Sequence, residues 1–357
     1  MNCQHIVSIE HEQPPGCSSV YLLSSLAKGF IKNTIICVYL VFMACSLCRA
    51  QSLPNIPKDT SFNTRTVHAQ IRKNFPFAVP VRDSLPNNLI RHVNQVYAQV
   101  QSASGGKREL HLDIFRPKKF AKLPALVMIH GGGWRSGDRS MEIPMAQLIA
   151  SRGYVTVTVE YQLSLEARYP AAVHNIKAAI RWLKANANDY NIDTNQIAIS
   201  GTSAGGQLAA LVGTTPGVAK LEGKIGDFST TSTVHAIVDI DGVINFLAPS
   251  SLNLIRKPNS PDVEWLGGTY LQRPDVWKEA SAGYWANENT CPMLFINSGF
   301  SRFHAGQDEL VGSLKEWGIY HEVRQINVKV HPFWLFHPWA DQAVDYIVDF
   351  LQKVFRK

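Results

Sequence analysis

Residues 197–206 read Ile197-Ala198-Ile199-Ser200-Gly201-Thr202-Ser203-Ala204-Gly205-Gly206, and the run that follows, 207–212, has the character of a helix. A strand-like run, a Gly-x-Ser-x-Gly turn and a helix start together describe a nucleophile elbow, in which a serine sits on a tight strand-to-helix turn. Bulky residues two positions away would clash there, so Gly201 and Gly205 suit the turn and Ser203 is the candidate nucleophile. The helix start also aims backbone N–H groups at the same spot.

Upstream, residues 125–129 (ALVMI) form a short continuous apolar run, as a buried parallel strand does, and His130-Gly131-Gly132-Gly133-Trp134 follows directly. Attack on a carbonyl develops an oxyanion, which fixed backbone N–H donors stabilise. The expected donors are the N–H groups of Gly132, Gly133 and Ala204, with Trp134 walling the pocket and His130 as a structural hydrogen-bonder. A phosphate loop is the alternative, but no Lys-Ser/Thr follows these glycines.

Around these motifs, residues 154–159, 236–240 and 293–296 repeat the buried-strand pattern, and 171–187, 308–317 and 343–355 carry apolar residues at helical spacing. Residues 93–100 and 109–115 alternate like a half-exposed hairpin. The expected fold class is α/β, with a mostly parallel central sheet and helices on both faces, the arrangement in which a nucleophile elbow of the α/β-hydrolase fold is found. Residues 91–357 are expected to form one catalytic domain, 51–90 an irregular lead-in rich in Pro and Asn, and 216–233 a polar loop.

The chain has 357 residues, 45% hydrophobic and 18% charged, with a formal charge of +7. That composition is globular, and because the basic residues are scattered, no nucleic-acid partner is expected. Five of the six cysteines fall within the first fifty residues, leaving Cys291 alone in the body, which therefore folds without an internal disulfide. No Cys/His cluster offers a zinc site, and no metal or cofactor is expected.

Residues 1–50 read as a leader. Lys28 and Lys32 precede an apolar run over 35–48, and Cys48 and Ala50 are the small residues of a cleavage site before Gln51. The run is shorter than the ~20 residues a bilayer span needs, so the expectation is secretion or export to the periplasm, with no stable membrane insertion after cleavage. A membrane anchor and a lipoprotein formed at Cys45 are the alternatives.

His130–Trp134 lies about seventy residues before the Gly201–Gly206 elbow, with Glu160-Tyr161-Gln162-Leu163 and Tyr169-Pro170-Ala171-Ala172 between them. In this it resembles the hormone-sensitive-lipase-like branch of the α/β-hydrolases, and within that branch the bacterial BD-FAE-type group of feruloyl and acetyl esterases. The resemblance implies a chain order of Ser, acid, His. His331-Pro332-Phe333 stands where that family has its His-Gly-Phe loop, making His331 the expected base, with His337 as the alternative. The family's acid follows the strand at 293–297, but Ser301 occupies its position, so the next carboxylate, Asp308, is the candidate, against the reading that it merely starts a helix. Asp239 and Asp241 are expected to fix a loop.

The expected activity is hydrolysis of short acyl esters (acetyl, methyl or feruloyl), with a small-molecule or polysaccharide ester as partner. A prolyl-oligopeptidase-like peptidase and a hydrolase-fold binding protein that has lost catalysis are the competing classes. No lid over the site is legible, and the oligomeric state is not encoded in any motif.

Overall fold

The computed structural model describes residues 59–102, 105–119 and 121–355, so the expected leader lies outside the described residues. The chain runs through α1 (Thr64–Ile71), β1 (Val79–Pro80) and a long hairpin, β2 (Leu89–Gln101) with β3 (Lys107–Pro117). Strands and helices then alternate: β4 (Leu123–Ile129), α2 (Ile143–Ser151), β5 (Val155–Val159), α3 (Ala171–Ala185), β6 (Ile192–Thr202) and α4 (Ala204–Thr214). After α5 (Ala219–Glu222) and β7 (Ala236–Ile240) come four short helices, α6 (Pro249–Leu252), α7 (Pro261–Leu266), α8 (Pro274–Glu279) and α9 (Ala282–Trp285). The chain closes with β8 (Met293–Asn297), α10 (Gln307–Glu316), β9 (His321–Gln325), β10 (Phe336–His337) and α11 (Trp339–Phe355).

Eight strands form one sheet in the order β2-β3-β5-β4-β6-β7-β8-β9. The pairs from β5 to β9 are parallel, and β3 is antiparallel to both its neighbours. β4, β5, β7 and β8 lie inside the sheet and their side chains are nearly all buried on both faces, which is why they read as unbroken apolar runs. Alternation still sorts them: Val127 and Ile129 pack in one core with Ile176 and Leu208, while Leu126 and Met128 pack in the other with Ile149 and Ile347. This is the expected α/β-hydrolase architecture.

Two segments differ from expectation. The lead-in is not irregular where it is described, because Asn63 caps α1: its side chain accepts from the Thr66 N–H at 3.0 Å, and Thr66 Oγ1 accepts from the Asn63 N–H at 3.2 Å. That box uses Thr in place of the usual Glu or Gln, so it gives a weak sequence signal. The polar loop at 216–233 has a structural task. Lys177 and Arg181 of α3 are buried, and Glu222 of α5 meets them at 2.8 and 2.7 Å. Arg181 also donates to the backbone oxygens of Asp227 and Ile225 at 2.7 and 2.9 Å. Burial pulls both cations' pKa values down and Glu222 opposes it.

Removing Glu222 strands two buried positive charges. Glu222→Ala is therefore expected to lower the unfolding free energy by about 3 kcal/mol, measured by urea denaturation. A loss under about 1 kcal/mol would mean that the trio behaves as a surface ion pair.

Candidate active site

β6 ends at Thr202 and α4 starts at Ala204, leaving Ser203 in the turn with φ +56° and ψ −119°. Non-glycine residues seldom take positive φ, and where they do the surroundings must hold them there. Close backbone approach does so. A Cβ on Gly201 would lie 2.0 Å from the Gly205 carbonyl oxygen, and one on Gly205 would lie 2.1 Å from that of Ile129. The Ser203 N–H donates to the Ile240 carbonyl at 2.8 Å, tying the turn to β7. Thr202 Oγ1 donates to the buried Glu142 at 2.8 Å, and burial pushes that carboxyl up to about 7.

His331 Nε2 lies 2.8 Å from Ser203 Oγ, and His331 Nδ1 lies 2.8 Å from Asp241 Oδ2. An ionised carboxylate can only accept, so Nδ1 carries the proton and Nε2 of the neutral ring accepts from the serine hydroxyl. The other oxygen of Asp241 accepts from the Ser298 N–H at 2.7 Å and from His304 Nε2 at 3.1 Å. Burial would raise the Asp241 pKa, but the hydrogen bonds from His304, His331 and Ser298 outweigh it and hold the carboxyl below its ordinary range. Burial lowers the pKa of His331 and Asp241 only partly opposes it, so the ring is poised as a neutral base. Phe303 stacks on the imidazole at 3.4 Å between centroids, and Trp334 meets it edge-on at 5.2 Å.

The structure therefore brings together Ser203 and His331 but not Asp308, which is a correction. Asp308 is exposed in the first turn of α10, where a carboxylate suits the helix dipole, and Ser301 is exposed at the start of a 3-10 turn. The carboxylate comes one strand earlier for a reason of register. Thr202 on β6 pairs with Ile240 on β7, so the next residues, Ser203 and Asp241, leave the sheet side by side. Asp241 is thus no mere loop-fixing residue, whereas Asp239 is fully buried against Gly206 and Gly242. The loop after β8 supplies the Ser298 N–H and His304 in place of an acid. His337 instead pairs with Asp341 at 2.6 Å.

A cavity of about 500 Å³ opens onto this group, lined by Gly132, Gly133, Trp134, Ser203, Ala204 and His331 among others. Gly132 and Gly133 take φ values of +118° and +60°, and Ser136 fixes the loop by donating to the Gly132 carbonyl from N at 3.0 Å and Oγ at 2.7 Å. Trp134 is pinned by a 2.9 Å bond to Gln207 and by stacking on Trp265. His130 is built into the scaffold: its ring stacks on Tyr161, whose hydroxyl donates to the His130 carbonyl at 2.9 Å. Although no lid was legible, the segment between β7 and β8 walls the cavity with Leu254, Ile255 and Pro261. Among the described residues no cluster could hold a metal ion, and no helix is long and apolar enough to cross a membrane.

Residues 112–314 match the family model of BD-FAE. Esterase LipC of Mycobacterium tuberculosis is 30% identical over 189 residues, which are 52% of this chain and 47% of LipC. Esterase LipQ of the same organism is 27% identical over 58% of this chain and 48% of its own length. The chain thus spans about half the length of these relatives. A truncated carbohydrate esterase from gut microbiota superimposes with a TM-score of 0.63 and 25% identity, over 78% of this chain and 99% of that one. Thermophilic esterase Est2 of Thermogutta terrifontis shares the fold at a TM-score of 0.60 and 21% identity, over 76% of this chain and 95% of Est2.

Labelling by a fluorophosphonate probe tests the geometry without a substrate. Asp241→Asn keeps the shape and loses the charge, which in a related triad lowers turnover by roughly 10⁴-fold; a slowing of labelling of that order is expected. Asp308→Asn is expected to stay within about twofold of wild type. Labelling should rise with pH through a value below the ordinary histidine pKa of about 6.5, because protonated His331 cannot take the serine proton. Equal effects of the two Asp variants, or an acid limb above that value, would contradict this arrangement.

Proposed function

The chain belongs to the BD-FAE family and has the α/β-hydrolase fold, and from that premise we propose that it is an exported carboxylic-ester hydrolase acting on short acyl esters, with a glycan as the alcohol half. The observation that carries this reading is the continuous hydrogen-bonded line from Ser203 through His331 to Asp241, opening into the cavity behind the Gly132–Gly133 loop.

Ser203 Oγ attacks the ester carbonyl while His331 Nε2 takes its proton, and Asp241 stabilises the imidazolium that results. The carbonyl oxygen becomes an oxyanion, held by the backbone N–H groups of Gly132, Gly133 and Ala204. His331 then gives the proton to the departing alkoxide, and the alcohol leaves an acyl-Ser203 ester. Water attacks that ester, His331 accepts the water proton, and the acid product departs as Ser203 Oγ recovers its hydrogen. Asp241 supplies the acid that Ser301 cannot, which removes the motive for a catalytically impaired binding protein.

The walls of Trp134 and Phe246 and the modest volume favour a short acyl group, and the esterase and carbohydrate-esterase likenesses point the same way. Export rests on the basic, apolar and small-residue order of residues 28–50.

Ser203→Ala is expected to lower ester turnover by roughly five or six orders of magnitude. Along a p-nitrophenyl series the wild type should be fastest from acetyl to butyryl, and rates that climb steadily to palmitoyl would make it a lipase instead. N-terminal sequencing of the exported protein should begin at or near Gln51. A cytoplasmic product that retains 35–48 would refute export.

A further inference from the structure

Three cations line the cavity, Arg135, Arg256 and Arg302, together with three carboxylates, Asp59, Asp241 and Asp262. Two of the cations are already answered. Arg135 pairs with Asp59 at 3.1 Å and Glu264 at 3.0 Å, and Arg256 pairs with Asp262. Asp241 is occupied by its two histidines. Arg302 is exposed and has no carboxylate within ion-pair distance among the described residues.

Its position is set by its neighbours in the chain. Arg302 lies in the 3-10 turn Ser301–His304, next to Phe303, which stacks on the imidazole, and close to His304, which holds Asp241. Its guanidinium sits 4.3 Å from the centre of the Phe303 ring. Guanidinium, phenyl and imidazole thus form one stack that ends at Ser203. A guanidinium lying on an aromatic face keeps its planar edge available for two parallel N–H bonds to a carboxylate. An unanswered positive charge lining the cavity also draws anions toward it.

We propose that Arg302 forms an anion subsite, and that the ester this enzyme takes carries a carboxylate close to the scissile bond. The charge can sit on the acyl half, as in a dicarboxylic hemiester, or on the alcohol half, as in an acylated uronic acid of a glycan. This deepens the esterase reading and rests on it. Burial is the main cause of the low His331 pKa and the Arg302 charge adds to it. A bound carboxylate neutralises that charge and so favours the imidazolium that forms as Ser203 attacks.

The test compares kcat/KM on matched esters at low salt. The pairs are p-nitrophenyl acetate against p-nitrophenyl hemisuccinate, for the acyl half, and acetylated glucose against acetylated glucuronate, for the alcohol half. The charged member of one pair should be preferred by about tenfold, as one charge-assisted contact allows. That ratio should vanish in Arg302→Gln and persist in part in Arg302→Lys. A ratio at or below one in both pairs, or one unchanged in Arg302→Gln, overturns the subsite while turnover of p-nitrophenyl acetate keeps the esterase standing. Failure of all four esters overturns the esterase reading instead. The subsite is then decided by titrating succinate and glucuronate into Ser203→Ala protein: binding lost on adding Arg302→Gln supports it, and binding unaffected by that change overturns it.

Discussion

Between Thr202 and Ala204 the chain passes from strand to helix through a single residue, and that reversal needs the backbone on either side to approach closer than any side chain allows. Gly201 and Gly205 meet this need, and Ser203 takes up the remaining strain in its positive φ. A non-glycine residue held there costs about 1–3 kcal/mol. Offsetting it are the bond from the Ser203 N–H to β7 and the apolar burial of α4 between β6 and the helices outside it. Moving either glycine's backbone would move the hydroxyl away from the imidazole, since both positions are bounded by main-chain atoms.

The same turn decides where the acid comes from. Because β6 and β7 are in parallel register at Thr202 and Ile240, the residue after each strand emerges at the same level of the sheet. Asp241 is therefore delivered beside Ser203 at the height the ring of His331 spans. Its carboxylate is fully buried, a position that would ordinarily neutralise it, yet three donors reach it. Hydrogen bonds to an ionised group are worth about 1.5–3 kcal/mol each, enough together to keep the carboxyl ionised. His304 is part of this balance, holding the oxygen that His331 does not use.

Much of this was legible beforehand because it rests on local backbone needs. The elbow glycines, the HGGG loop after β4 and the unbroken apolar strands follow from what one turn or one buried strand can tolerate, and each lies within a short stretch of chain. His331 was also legible, through the family resemblance, because His331-Pro332-Phe333 stands where that family has its His-Gly-Phe loop. Asp241 was not, because choosing among carboxylates depends on which strands are neighbours and in what register, and no short stretch carries that. Asp308 drew the choice through its place in the chain, although its helix-start setting already accounted for it. Two further features were hidden for the same reason: Glu222 answers cations 41 and 45 residues away, and the wall from Leu254 to Pro261 is the irregular connection between two short, Pro-started helices.

In the proposed mechanism Ser203 forms a covalent acyl intermediate through this hydrogen-bonded line. The most direct measurement is a rapid-quench experiment with p-nitrophenyl acetate, followed by mass spectrometry of the peptide that carries Ser203. A burst of p-nitrophenol stoichiometric with enzyme, together with one acetyl group on that peptide, is the predicted result. Steady turnover with no burst and an unmodified Ser203 peptide, under conditions in which deacylation is slow, would contradict it.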